Sequence, residues 1–418
     1  MTVRAPVARR TFVLECIRAV PAGYMEACIS SLFLLIALRG LHADSGTKAA
    51  IAAAGNGGML LTPLMLRVAQ RTRRPATVVA STILAGGAVA LGLSAVIGGL
   101  VAYTFGTVVG MSSVNIVVPL LTTVYQRNYG AHERGRNVSR ALMIRMAMSA
   151  LAAWLIGRWL DSHLDSYRFV VFGAAVALAV SAAVVTRLES APIPDDRRRR
   201  LVDSLALMRH DRVLATTMTS WMFMGMANLT MIPLRTEYLA NPVYGINASP
   251  SRVALLTVAV PAVVRVAMSP VFGWVFDRMS FFGTRIALNV GFGISILAFF
   301  TGSSFIGLVI GSVTFGVAAA GGDVLWQLWA IKLAPPDQVA DYMALHTFFT
   351  GVRGALAPFL AYWLVAHFAV RSVGFLSALM ILVGTVILWP DLRAERARLA
   401  AQGISRAGRH RGSRVDST

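Results

Sequence analysis

Six charged side chains lie inside stretches of the chain that are otherwise apolar. They are Arg18, Glu26, Arg145, Arg265, Asp323 and Arg353. A charge at the centre of a membrane helix costs about 2.5–3.5 kcal/mol on insertion scales, so each needs a partner or a water-filled cavity. A buried carboxylate can exchange a proton near physiological pH, and arginine binds carboxylate or phosphate through paired hydrogen bonds. These residue types therefore indicate proton exchange and anion recognition.

Helical rise gives the depth of these charges. Arg265 and Arg353 each lie ~18 Å from one end of an apolar segment at ~1.5 Å per residue, and Asp323 lies ~13 Å in. Glu26 is also near the middle of its segment. We expect these four residues to form a site at the midplane of a ~30 Å hydrocarbon core. Glu26 and Asp323 are the candidate proton-coupling groups, although Asp323 also fits a purely structural counter-ion of an arginine.

The two remaining arginines are shallower. Arg18 is expected to pair with Glu15 or to extend to the lipid headgroups. Arg145 is expected to pair with a loop acid such as Glu133. Both expectations assign these arginines to the membrane surface rather than to the site.

Four uncharged polar or aromatic residues are further candidates for solute contact. Asn115 and Asn228 either bind solute or hydrogen-bond between helices. Trp326 and Gln327 follow Asp323 by about one turn and fit either a cavity wall or core packing equally well.

Hydropathy places the charges on membrane-spanning elements. Twelve apolar segments of about twenty residues each divide residues 14–390, and each is long enough to cross a bilayer as a helix. The net charge of +20 is typical of nucleic-acid binding, but a hydrophobic fraction of 56% and a mean hydropathy of +0.65 exclude that class. The sequence therefore predicts an all-α membrane protein.

The basic residues are unevenly divided between the two sets of loops. The tails and even-numbered loops hold 28 of the 39 Lys and Arg residues, and the odd-numbered loops hold 7. Since cytoplasmic loops carry the excess of Lys and Arg, we expect both termini to be cytoplasmic. We expect the protein to lie in the inner (plasma) membrane of the cell. Anionic lipids are expected to attract these loops.

Composition divides the chain into five parts. The expected parts are an N-terminal tail (1–13), a six-helix bundle (14–187), a linker with a short interfacial helix (188–213), a second six-helix bundle (214–390) and a basic disordered tail (391–418). Residues of the two bundles match at near-constant offsets of 202 to 207, as in Gly23 with Gly225 and Pro63 with Pro270. These offsets indicate two related halves.

One segment carries a family resemblance. Gly273, Asp277 and Arg278, followed by Gly283 and Arg285, resemble the signature G-x-x-x-D-R-x-G-R-R of the major facilitator superfamily. The copy in the first half is degenerate, with Leu66 and Gln70 at the Gly and Asp positions. The resemblance implies that Gly273, Asp277 and Arg278 gate the cytoplasmic side. It also implies that spans three, six, nine and twelve, which lack interior charges, face lipid.

Together these features predict secondary active transport of a small solute by alternating access, with protons as the coupling ion. The arginines favour an anionic solute. No P-loop, H-E-x-x-H or Cys/His metal cluster occurs in the sequence, so we expect no enzyme, cofactor or metal. We expect a monomer. The alternatives are a uniporter or efflux pump for amphipathic compounds, or a non-transporting receptor or scaffold.

Overall fold

The computed structural model describes residues 5–192, 201–335 and 338–397, which form helices and short connections. Twelve long helices are α1 (Pro6–Gly40), α2 (Ser45–Thr72), α3 (Ala76–Ile97), α4 (Gly99–Asn128), α5 (Ala131–Leu160), α6 (Tyr167–Val185), α7 (Arg212–Ala240), α8 (250–278), α9 (Phe281–Phe300), α10 (Phe305–Leu333), α11 (Val339–His367) and α12 (Val370–Ala397). A linker helix, Leu201–His210, precedes α7.

Of the twelve long helices, all except α7 are long and apolar enough to cross a membrane. Helix α7 has the length, but its many hydroxyl side chains lower its hydropathy. Several of them, including Thr217, Ser220 and Thr230, are buried against neighbouring helices. The predicted twelve-helix all-α membrane fold is therefore confirmed, with α7 placed by packing rather than by hydropathy.

The same helix pairs meet in both halves. In the first half α1 packs on α5 and α6, α3 packs on α4 and α6, and α2 packs on α4. In the second half α7 packs on α11 and α12, α9 on α10 and α12, and α8 on α10. Adding six to each helix number of the first half gives the pairs of the second, so the two bundles are related as the sequence offsets predict.

Two helices that frame the interface between the halves contain π-helical turns. Helix α1 has such turns at Cys28–Leu32 and Ile36–Gly40, and α8 has one at Leu255–Ala259. The turns at Cys28–Leu32 and Leu255–Ala259 pack against each other across the interface. Wide turns of this kind are frequent at functional sites, and these flank Glu26 and Arg265.

The C-terminal region differs from expectation. A disordered tail is expected from residue 391, but the chain is helical through Ala397. The cause is packing: Thr216 donates to the Asp391 carboxylate, and the Glu395 carboxylate accepts the free N–H groups at the start of α9. Residues 398–418 lie outside the described part of the chain.

Candidate functional site

Because the number of crossings is even, both chain ends lie on one side of the bundle, here called the terminal side, and the opposite face is the distal side. The two halves are joined on the distal side. Lys48 of α2 forms a buried ion pair with Glu237 of α7 at 2.8 Å. Ser31 and Thr236 share a hydrogen bond, and Arg39 donates to the carbonyl of Ala240.

Small residues allow the backbones to approach closely across this interface. A Cβ atom at Gly354 of α11 would lie 2.3 Å from Cβ of Asn56 on α2. A Cβ atom at Gly157 of α5 would lie 2.9 Å from Cβ of Ala254 on α8. Helix α2 thus packs on α11, and α5 on α8, with no room for larger side chains. The distal side of the interface is closed.

Four charges meet at the midplane where the closed region ends. Arg265 of α8 donates through Nε and Nη2 to one oxygen of Asp323 on α10, at 3.1 and 2.6 Å. Arg145 of α5 lies 3.5 Å from Glu26 of α1. Helix α5, which carries Arg145, packs on α8, which carries Arg265, so the two ion pairs lie on helices that meet at the interface of the halves. The four residues Arg145, Glu26, Arg265 and Asp323 are here called the charge quartet, and each half contributes one ion pair to it.

The quartet is electrically balanced and accessible. Its side chains are 34% (Arg145), 26% (Glu26), 22% (Arg265) and 35% (Asp323) exposed. Since the distal side is closed, the exposed parts of these side chains are open to the terminal side. A cavity of about 50 Å³ begins one turn beyond Glu26, between the halves, with Ile29, Ser30, Asn56, Met111 and Pro358 in its lining.

Arg145 makes a different contact from the one expected. Its partner is Glu26 of α1 and not the loop acid Glu133, which lies twelve residues back on the same helix, ~18 Å away. Arg18, in contrast, pairs with Glu15 at 2.7 Å as expected, and it also donates to the Tyr125 hydroxyl.

Arg353 does not join the quartet. Its guanidinium is buried inside the second half, where it donates to the Trp221 carbonyl at 2.9 Å and to the Thr350 hydroxyl at 2.8 Å. A side chain at Gly225 would collide with it. The site expected from depth therefore contains three of its four members, Glu26, Arg265 and Asp323.

The uncharged candidates are dispersed. Asn228 is buried and donates to the Met224 sulfur on its own helix. Asn115 lies on α4 against Gly55 of α2. The Trp326 ring packs on His346, with ring centroids 5.5 Å apart. Gln327 belongs to α10, and its side chain lies outside the described structure.

The signature segment ends α8 on the terminal side. Arg278 stacks on the Trp274 ring at 4.6 Å, and a Cβ atom at Gly273 would meet nothing within 4 Å. Asp277 is helical, and its side chain lies outside the described structure. The small residue at Gly273 is thus not required by packing in this conformation.

Among the described residues, the burial of four further charged side chains was not predicted from the sequence: Lys48, Arg235, Glu237 and Arg285. Each lies near the end of an apolar segment, where a hydropathy boundary assigns it to a loop. One signal was available for Lys48, since it is one of only two lysines in a chain with 39 basic residues.

Comparisons with known proteins agree with this architecture. The model of the Major Facilitator Superfamily matches residues 244–409, and no curated protein matches. The nucleoside transporter NupG, in a substituted form, superposes with a TM-score of 0.72 at 12% identity, covering 91% of this chain and 98% of that one. A D-xylose–proton symporter gives 0.69 at 15% identity, with 92% and 97% covered. A substituted form of the peptide transporter POT gives 0.70 at 14%, with 93% and 95% covered.

The family model matches the part of the chain that contains the signature segment, in agreement with the resemblance found there. The protein is a multi-pass membrane protein with the fold of major facilitator superfamily transporters.

Proposed function

We propose that this protein is a proton-coupled secondary transporter that moves a small acidic solute by alternating access. The observation that carries the proposal is the charge quartet, in which one ion pair from each half meets the other at the midplane. Rocking of two halves around a fixed midplane site is the mechanism that this fold class supports.

The quartet offers a simple route for coupling. A proton on Glu26 or Asp323 removes one negative charge and leaves Arg145 or Arg265 without its counter-ion. Loss of the counter-ion of a partly buried arginine is unfavourable, so an anionic solute binds best when the proton is bound. Proton and solute then cross together, which is symport.

Arg265 is the proposed solute-binding arginine. Its Nε and Nη2 atoms form a planar fork that matches a carboxylate or phosphate, and Asp323 occupies that fork in this conformation. The cavity beyond Glu26 is lined mostly by apolar side chains and suits an uncharged part of the solute. Among the structural neighbours, the D-xylose–proton symporter indicates that this fold accommodates proton-coupled uptake.

The experiment begins with identification of the solute. Purified protein is screened by thermal unfolding against carboxylic acids and phosphate esters, with sugars, nucleosides and dipeptides as other classes, because a ligand of the folded state raises its apparent stability. A hit is then tested in proteoliposomes with a pH gradient and an internal pH dye. We expect accumulation of an acid together with proton entry.

Three variants test the residues involved. Glu26→Gln and Asp323→Asn should each reduce gradient-driven accumulation, and the one at the coupling residue should spare solute exchange. The exposed acid Asp165→Asn is the matched control and should behave as wild type. Normal accumulation by both quartet variants would exclude coupling through these carboxylates. A screen with no hits and no proton movement would favour the receptor or scaffold alternative.

Orientation and gating complete the proposal. Both termini and the linker are proposed to be cytoplasmic, in the inner membrane, so reporter fusions after residues 200 and 418 should both read as cytoplasmic. The segment with Gly273, Asp277 and Arg278 is proposed to close the terminal side when the distal side opens. Asp277→Asn should then lower transport and increase terminal-side labelling of cavity cysteines.

A further inference from the structure

The guanidinium edge formed by Nε and Nη2, here called the fork, has different contacts in three arginines of this protein. The fork of Arg18 holds Glu15, and the fork of Arg265 holds Asp323. Arg285, on the first turns of α9, is 4% exposed, and neither Nε nor Nη2 has a hydrogen-bond partner. The Nε and Nη2 edge thus binds a carboxylate in Arg18 and in Arg265, but it has no hydrogen-bond acceptor in Arg285.

Further unpartnered donors surround Arg285. Its guanidinium carbon lies 4.9 Å above the Trp221 ring, whose Nε1 is buried and unpartnered. Arg353 donates to the carbonyl of Trp221 and keeps a buried, unpartnered Nε. The charges of Arg285 and Arg353 act on each other. Four N–H groups of three neighbouring residues therefore lack an acceptor.

The described side chains around this cluster supply no negative charge to match it. Among the described side chains, no carboxylate forms an ion pair with Arg285 or Arg353. His346 accepts a hydrogen bond from Trp329 through Nδ1 and can at most add another donor through its second nitrogen. A buried polar group without a partner is destabilising, and a charged one is more so. Two guanidinium groups and an indole in this state require an acceptor.

We propose that Arg285, Arg353 and Trp221 bind a phosphate-type oxoanion inside the second bundle. An oxoanion can accept both N–H groups of the Arg285 fork through two oxygens and offer further oxygens to the other donors. Its negative charge offsets the two buried positive charges. The site lies between α7, α9 and α11, apart from the charge quartet. It is therefore distinct from the site proposed for the transported solute.

Two sources can supply this chemistry. Arg285 belongs to the terminal-side end of α9, where the helix leaves the bilayer core, so a lipid phosphodiester at the membrane surface is one source. Free phosphate on the terminal side is the other. The chemistry of recognition is shared, and the experiment separates the two.

The test is the thermal unfolding of purified, delipidated full-length protein. Sodium phosphate is titrated against sodium chloride at equal ionic strength, and we expect phosphate to raise the unfolding midpoint by several degrees. Arg285→Lys keeps the charge but loses the fork, so its apparent Kd for phosphate should be at least about tenfold higher. Arg235→Lys is the matched control, because Arg235 is equally buried and also has one unpartnered nitrogen, Nη1, but its Nη2 donates to Ser295 and its guanidinium stacks on two phenylalanine rings. It should keep the full response.

A second arm adds phosphatidylglycerol to the micelles. If a lipid occupies the site, phosphatidylglycerol should stabilise the wild type, not Arg285→Lys, and abolish the response to phosphate. If free phosphate is the ligand, that response should persist in the presence of the lipid. A response lost in Arg265→Lys but retained in Arg285→Lys would place the anion at the quartet and overturn the proposal. The absence of stabilisation by either ligand would also overturn it.

Discussion

The charge quartet and the arginine cluster of the second bundle use the same side chain in opposite ways. In the quartet, Arg265 faces Asp323 at the interface of the halves and is reachable from the terminal side. In the cluster, Arg353 and Arg285 are almost completely buried and contact carbonyls, hydroxyls and rings instead of carboxylates. One region is a balanced set of charges, and the other has an uncompensated positive charge.

This difference separates the two tasks that a buried arginine can perform. An ion pair at a moving interface can exchange its partner for a proton or a solute, because each half contributes its own pair. A donor-only cluster inside one rigid bundle has no such exchange and instead needs a permanent or regulatory anion. Depth in the membrane does not distinguish the two, since Arg265 and Arg353 lie equally far from the ends of their helices.

The strongest test of the interface charges is the distal pair Lys48–Glu237. Breaking one partner of a buried ion pair costs about 3–5 kcal/mol. Lys48→Met or Glu237→Gln alone should therefore shift the protein towards the distal-open state. The shift in the double variant should be smaller than the sum of the shifts in the two single variants. The measurement is labelling of Ala52→Cys by an impermeant maleimide from the distal side, after replacement of Cys16 and Cys28. Unchanged labelling in both single variants would show that this pair does not hold the distal side closed.

The second test compares the two regions directly, in buffer without oxoanions. Arg265→Gln leaves Asp323 without its partner and should lower the unfolding midpoint. The loss in free energy of unfolding should be below the about 1–3 kcal/mol of a fully buried group, because the pair is partly exposed. Arg285→Gln removes an uncompensated buried charge and should leave the midpoint unchanged or raise it. Equal losses in both variants would mean that Arg285 is compensated as well as Arg265 is.

A third test uses two glycines. Gly354→Ala places a methyl group against Asn56 in the closed distal interface and should destabilise it by about 1–3 kcal/mol. Gly273→Ala meets nothing in this conformation and should gain about 0.5–1 kcal/mol from helix propensity. Thermal unfolding measures both. A similar loss in Gly273→Ala would indicate that the terminal side is already closed in solution.

The smallest effect is expected at an exposed charge that touches neither region. Hydrogen bonds from Thr47 hold the pKa of Asp44 below its usual value, where its carboxylate caps α2. A depressed folded-state pKa means that the carboxylate stabilises the fold above its unfolded pKa and that this contribution is lost as the pH falls through the folded value. Asp44→Ala should therefore slightly lower the midpoint at neutral pH and make no difference in strong acid. A difference that grows towards low pH would contradict this assignment.

The amino-acid sequence was sufficient to predict the class of protein. Twelve apolar segments, matched offsets between the halves and the segment from Gly273 to Arg285 are local properties of the chain, and each follows from helix length or residue spacing. Depth along a helix is also local, so the midplane position of Glu26, Arg265 and Asp323 could be predicted.

Which charges pair with each other could be seen only from the packing of the helices. Helical periodicity determines the face of the helix on which each residue lies. The sequence alone does not show which other helix packs against that face. The pairing of Glu26 with Arg145, the separation of Arg353 from the quartet and the distal pair of Lys48 with Glu237 all depend on that neighbour. Hydropathy boundaries also hid Arg285 and Glu237, because packing against other helices buries residues that a single apolar segment leaves at its end.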